Sequence, residues 1–377
     1  MRLRQILRGK LLRHVIRAAL LLSLASVAVS ISACAIVARN AQADFRPIHE
    51  PIAAEHSAFI AQTPKYQRPE DATYLSFPEW YLVFNPQEYA ESLRHRPPSQ
   101  FPYFKSTAQF WRGYAEVYGI ARRHYRYNFG ANLMVAVIGT SSTVEWSVKG
   151  GYENTVGRLS EWIGGGALTD EDTFAAEVAR DYGNFIPTRP WFEFPYGQKF
   201  VALWSATNFF GPHFVRKWER KFFLSFEYGA KWLYAAVIRA ASHAVYGVAD
   251  TEIYASAHHI PDAAFAIPGI KKVKSLGAGA WVVTLPHYQG FTDTVPALAR
   301  LGVDFDEVAG NDEILLTLIA PAAWNYNLTD GRPLFAMDRL TDAAQKRVAV
   351  QVPIKSLGKI LREIESGGLR LEHLFDY

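Results

Sequence analysis

A chain of 377 residues with 49% hydrophobic and 20% charged side chains is long enough for about two ordinary domains and too apolar to be a disordered tail. Its net charge of +4 is more than accounted for by Arg2, Arg4, Arg8, Lys10, Arg13 and Arg17, which precede any acid, so the remainder is net acidic and binding to nucleic acid by bulk charge is excluded. Cys34 is the one cysteine, which excludes an intrachain disulfide and thiolate metal clusters, and leaves the 14% of aromatic side chains as the unusual feature.

Residues 1–17 form a basic leader. Residues 18–38 follow without a charge, and at 1.5 Å per residue they span about 30 Å, the hydrocarbon thickness of a bilayer. A basic leader before such a segment predicts a cytoplasmic N-terminus and an exported body, that is, a bacterial inner-membrane protein with its bulk in the periplasm. Two other readings compete for the segment. Ile31-Ser32-Ala33-Cys34 resembles a lipobox, which would make Cys34 a lipidation site and the chain a lipoprotein. Ala41-Gln42-Ala43 has the small-residue pattern of a cleavage site. All three export residues 44–377.

Residues 44–72, with prolines at 47, 51, 64 and 69, are expected as an irregular linker. Residues 73–267 are expected as a mostly α-helical, aromatic-rich domain. Phe110, Tyr114, Val117, Tyr118 and Ala121 follow one helix face. Thr169 before Asp170, Glu171 and Asp172 marks a helix start, and Phe174, Val178, Tyr182 and Phe185 give that helix its buried stripe.

Residues 270–377 change character. Strands are expected at 281–285, 313–319, 333–337 and 346–352, helices at 289–301 and about 354–364, and a last strand near the C-terminus. That order suggests a ferredoxin-like, split βαβ sheet and an overall α+β class.

An eleven-residue frame occurs twice, as FPYFKSTAQFW (101–111) and FPYGQKFVALW (194–204). Downstream of each copy lies a basic-aromatic cluster, Arg122-Arg123-His124-Tyr125-Arg126-Tyr127 and Arg216-Lys217-Trp218-Glu219-Arg220-Lys221. Each is followed by an apolar stretch and then Glu-aromatic-x-x-Lys-x-x-Tyr: Glu145, Trp146, Lys149, Tyr152 and Glu227, Tyr228, Lys231, Tyr234. The offset between copies is 93 at the first frame and 82 at the second, about three helical turns less. Solvated Glu–Lys pairs beside core tyrosines explain the pattern. So does an internal duplication with a polar seam between copies. A site on that seam would use Glu145 and Glu227 as acid–base candidates and Arg122, Arg123, Arg216 and Lys217 as anion or headgroup ligands. The stretches 128–144 and 232–249 contain Asn132, Arg239 and His243 and are expected as core or interfacial helices near a membrane surface rather than spans.

No phosphate-binding loop, dinucleotide fingerprint, nucleophile elbow or HExxH is present, and no cofactor is expected. His258-His259 is not expected to hold a metal, because adjacent side chains of a strand point to opposite sides. Glu79, between a proline and two aromatics, is a first-turn helix acid whose pKa rises if buried, and His287 and Tyr288 are expected in a loop. The first functional expectation is a non-enzymatic envelope protein, a scaffold or binder of a protein partner or of its own copies at the membrane surface. The second is a lipid- or amphiphile-binding carrier or processing enzyme.

Overall fold

The computed structural model describes residues 54–245 and 250–377. The basic leader, the apolar segment 18–38, Cys34 and residues 44–53 lie outside the described residues. Among the described residues no helix is long and apolar enough to cross a membrane.

The expected irregular linker is in part a helix, α1 (Ala54–Gln62), and it is docked. Ile60 and Tyr66 are buried against Val282, and Tyr66 donates to Glu307 at 2.5 Å. A short turn of helix, α2 (Ala72–Leu75), leads into the helical unit: α3 (Phe77–Ser92), α4 (Tyr103–His124), α5 (Phe129–Tyr152), a π-helical turn at Glu153–Gly157, α6 (Arg158–Ile163), α7 (Asp170–Phe185), α8 (Tyr196–Ala206) and α9 (Phe214–Val245). At the start of α7, Thr169 and Asp172 close a reciprocal capping box, satisfying two amides that a bare N-terminus leaves open.

The repeated sequence frame is also a repeat of geometry. Each FPY follows a short 3-10 helix, at Pro98–Gln100 and Trp191–Glu193. Each proline sits near φ −80, with ψ 64 at Pro102 and 58 at Pro195, and the tyrosine amide reaches back to the phenylalanine carbonyl at 2.9 and 2.8 Å. This inverse γ-turn launches α4 and α8 from the same tyrosine position. Ahead of each frame the rings also correspond: Tyr89–Phe101 and Tyr182–Phe194 both meet edge-on at 5.1 Å. The correspondence ends there: α8 has 11 residues where α4 has 22, and the first basic cluster closes α4 whereas the second lies at the start of α9.

Strands begin earlier than expected, at β1 (Glu252–His258), inside the stretch assigned to the helical domain. Then follow β2 (Lys271–Gly277), β3 (Ala280–Pro286), α10 (Gln289–Arg300), β4 (Asp304–Val308), β5 (Glu313–Pro321), β6 (Arg332–Asp338), β7 (Gln345–Pro353), α11 (Leu357–Ser366) and β8 (Arg370–Phe375). They form two four-stranded antiparallel sheets, β2-β3-β1-β4 and β6-β7-β5-β8. The ferredoxin-like expectation is therefore corrected: the strands counted as one sheet belong to two sheets, each with three strands before its helix. In both, the first strand is flanked by the third and fourth, and the second pairs only with the third.

The two sheets share one core with α10 and α11, containing Ile253, Leu285, Phe291, Leu298, Leu316, Val350 and Ile360. The second sheet is buried on its other face too. Leu315, Ala349 and Phe375 pack against Tyr74, Phe77, Tyr81 and Phe110 of the helical unit. Strand side chains alternate between faces, so this sheet joins the two halves of the described chain.

Candidate functional site

Helices α5 and α9 run antiparallel, and the two Glu-Lys frames meet across them. Lys149 bonds Glu227 at 2.8 Å, Lys231 bonds Glu145 at 2.8 Å, and Lys231 also reaches Glu227 at 3.0 Å. Tyr152 stacks on Phe223 at 4.1 Å farther along the same seam. Burial alone would raise the Glu227 carboxyl, but Lys149 and Lys231 outweigh it and hold the group well below the ordinary carboxylate range. Burial opposes the charge of Lys231 as well; Glu145 and Glu227 overcome it and push the ammonium well above its usual value. Glu227 is thus a fixed anion and Lys231 a fixed cation.

A denser ionic cluster lies farther toward the N-terminus of α9. Arg216, Lys217, Arg220 and Lys221 fall on one face by their i, i+1, i+4, i+5 spacing, and that face points inward. Arg216 bonds Asp172 at 2.7 Å, Glu219 at 3.1 Å and Glu161 at 3.3 Å. Lys217 meets Glu171 at 2.9 Å, and Arg220 meets Glu153 of the π-helical turn at 2.8 Å. Arg220 is 0% exposed. The acids come from α6, the capped start of α7, α9 itself and the π turn, so only the tertiary fold assembles them. Buried charges persist only when paired, and each cation of this cluster meets a carboxylate, although Arg220 Nε and Nη2 and Glu153 Oε2 make no hydrogen bond.

The outward faces of the same helices are apolar. On α5, Phe129, Leu133, Met134, Val137, Val144 and Val148 are exposed while Asn132, Thr140 and Lys149 are buried. On α9, Phe222 is 69% and Phe226 63% exposed, with Leu233 and Val237 continuing the stripe about two and three turns on. Trp162 at 77%, on α6, and Phe210 at 80%, in the loop before α9, project nearby. A helix in water exposes its charges and turns its apolar stripe inward; α5 and α9 bury Val135, Trp146, Phe223, Leu224 and Tyr228 but also carry most of their charges inward and a second apolar stripe outward.

The other expected site residues fall in different places. Arg122 and Arg123 are exposed on the last turn of α4, where cations complement the helix dipole. Arg216 and Lys217 are buried on carboxylates, so the four expected headgroup ligands do not form one site. Glu145 is half exposed at 47%. Glu79 stands on the first turn of α3, half-buried, its carboxyl pushed up to about 7 by burial. His287 lies between β3 and α10 as expected, but it is buried. Its Nδ1 is 2.6 Å from Asp376, which also accepts the Tyr288 amide at 2.8 Å. His258 and His259, expected to diverge, both turn toward Asp304.

A polar cleft of about 710 Å³ opens where α3 and α7 meet the second sheet. Two of its arginines are paired: Arg347 bonds Glu88 at 2.9 Å and Glu372 at 2.5 Å, and Arg339 bonds Glu91 at 2.7 Å. This floor stitches the helical unit to the sheet. Comparison with family models, curated proteins and solved structures returned no match.

Proposed function

We propose that this chain is a membrane-anchored protein of the bacterial cell envelope, with its body in the periplasm, which lies against the bilayer through α5 and α9 and offers its C-terminal unit to a protein partner. The observation that carries the reading is the outward stripe of Phe, Leu, Val and Met on these helices, opposite a face that holds their ion pairs. Contiguous apolar surface beyond a few hundred Å² marks a membrane or protein contact. The bilayer is favoured as its occupant because the same chain carries the apolar segment 18–38 behind six cations, which would hold the body at a membrane surface. Exposed Arg122, Arg123, Arg126 and Tyr127 also precede the first outward residue of α5, a composition suited to the headgroup zone. Beyond residue 250 the large exposed apolar side chains are single, at Val273, Tyr288 and Leu301, which leaves that unit a polar face for a partner.

The amphiphile-processing alternative finds less support. Glu227 is clamped as an anion by two lysines, and the seam between α5 and α9 is filled by its own ion pairs and rings.

The test uses the full chain in lipid nanodiscs, with Cys34→Ser removing the native thiol and Leu133→Cys, Phe226→Cys or Leu233→Cys carrying an environment-sensitive fluorophore. Spin-labelled lipid is expected to quench all three and to spare a label at Lys359→Cys on α11. Absence of quenching at the three helical positions would overturn the proposal; a crosslink between copies there would reassign the face to self-association.

A further inference from the structure

We infer that His258, His259 and Asp304 form a binding site for a divalent transition metal of the zinc class on the outer end of the first sheet. β1 ends at His258, which pairs with Asp304 at the start of β4. The next residue leaves the strand. His259 takes φ 55, the left-handed region in which histidine is among the enriched side chains, so the strict alternation of a strand no longer applies to it. The result is a pair of imidazoles with ring centroids 4.6 Å apart, both directed at one carboxylate: His259 Nδ1 lies 3.1 Å and His258 Nε2 3.9 Å from Asp304 Oδ2. The three donor atoms all lie within 4.8 Å of one another. Donors on a tetrahedral metal at about 2.1 Å stand about 3.4 Å apart, so a rotation of the exposed His259 ring closes the set.

A fourth residue supports the assignment. Asp306 is the extra residue where the β1–β4 register shifts between Ser256 and Ala257, and its Oδ1 lies 3.2 Å from His258 Nδ1. A carboxylate on the far nitrogen of a ligating histidine fixes the tautomer, with the proton on Nδ1 and the Nε2 lone pair facing the metal. Asp304 and Asp306 together balance a dication. Two imidazoles and one carboxylate suit zinc and its neighbours better than calcium or magnesium. Three protein donors leave one tetrahedral position, and with His259 72% exposed that position is open to water or to a donor from another molecule.

The experiment is a titration of the full chain, purified without a histidine tag in detergent, with cobalt(II) as the spectroscopic stand-in and zinc as competitor. One cobalt per chain with the visible band of a tetrahedral site, displaced by zinc, is the expected result. His259→Ala and Asp304→Asn should each abolish the band, and Asp306→Asn should weaken binding by about 10- to 100-fold. His213→Ala, an exposed histidine of the helical unit, should change nothing. All four positions are at least partly exposed, and circular dichroism checks that the variants fold. No band in the wild type, or a band unchanged in His259→Ala, would overturn the site.

Discussion

Arg220 has no surface in contact with solvent, and its guanidinium rests on Glu153 and Asp172. Removing one partner of a buried pair leaves the other charge uncompensated, so Arg220→Met is expected to cost about 3–5 kcal/mol, measured by urea unfolding in detergent. The exposed Lys105–Asp338 pair sits at the other extreme, and Lys105→Ala should stay within about 1 kcal/mol. Protonation gives two opposite signs. Glu227 is held below its ordinary 4.5, so its contribution is present above pH 4.5 and is lost as the pH falls toward its folded value. Burial pushes Glu79 up from 4.5 to about 7. The folded chain then keeps a proton that the unfolded chain has released, and stability is lost as the pH rises from 4.5 to about 7. Glu79→Gln should therefore gain in melting temperature over the wild type as pH goes from 5 to 8; a difference that does not change with pH would rule out burial of the charge as its cause. The Glu-Lys-Tyr frames were legible at this scale because i, i+4 spacing is local. Their cross-pairing was not, since no local rule says which lysine meets which glutamate.

At the scale of the element, α4 and α5 approach through glycine. A Cβ on Gly139 would meet Phe110 Cε1 at 2.3 Å, and Phe110 is fixed in the core by Tyr81 and Trp111. Gly139→Ala is accordingly expected to destabilise by about 1–3 kcal/mol through overpacking, despite the better helix propensity of alanine, as read by thermal unfolding. The capped start of α7 and the stripe of Phe174, Val178, Tyr182 and Phe185 were visible in the sequence, because capping and 3.6-residue periodicity are local signals. Strands β1, β2 and β4 were not. β1 carries small residues at Ala255, Ser256 and Ala257, β2 is a lysine-bearing edge strand, and β4 is only five residues long. β1 alternates, but through small residues after Ile253, and β2 and β4 lack the apolar alternation that marks a half-buried strand; each takes its place from its neighbours.

At the scale of the whole molecule, β5 is the hinge of the architecture. Ile314, Leu316 and Leu318 face the shared α/β core, and Leu315 faces the helical unit. Cutting the chain would expose Leu315, Ala349 and Phe375 together, so residues 250–377 expressed alone are expected to associate or precipitate, and size-exclusion chromatography would show it. A soluble monomeric fragment would mean that the helical unit contributes little to that sheet. The two outward apolar stripes belong to this scale as well. Local periodicity marks α5 and α9 as amphipathic or apolar, but which face turns inward depends on what else is packed there, and here buried carboxylates draw the cations in.

By itself the sequence determined the division into a helical part and a sheet-bearing part, the twice-written FPY frame, the start of α7 and five of the eight strands, because each depends on spacing and propensity within a few residues. The tertiary structure decided the rest. It divided the strands into two sheets of like topology, and it set four cations of α9 inside and Phe214, Phe222 and Phe226 outside. It also brought two histidines round to one aspartate. These arrangements depend on contacts between residues far apart in the chain, where burial and charge pairing between elements outweigh any preference that a single segment carries.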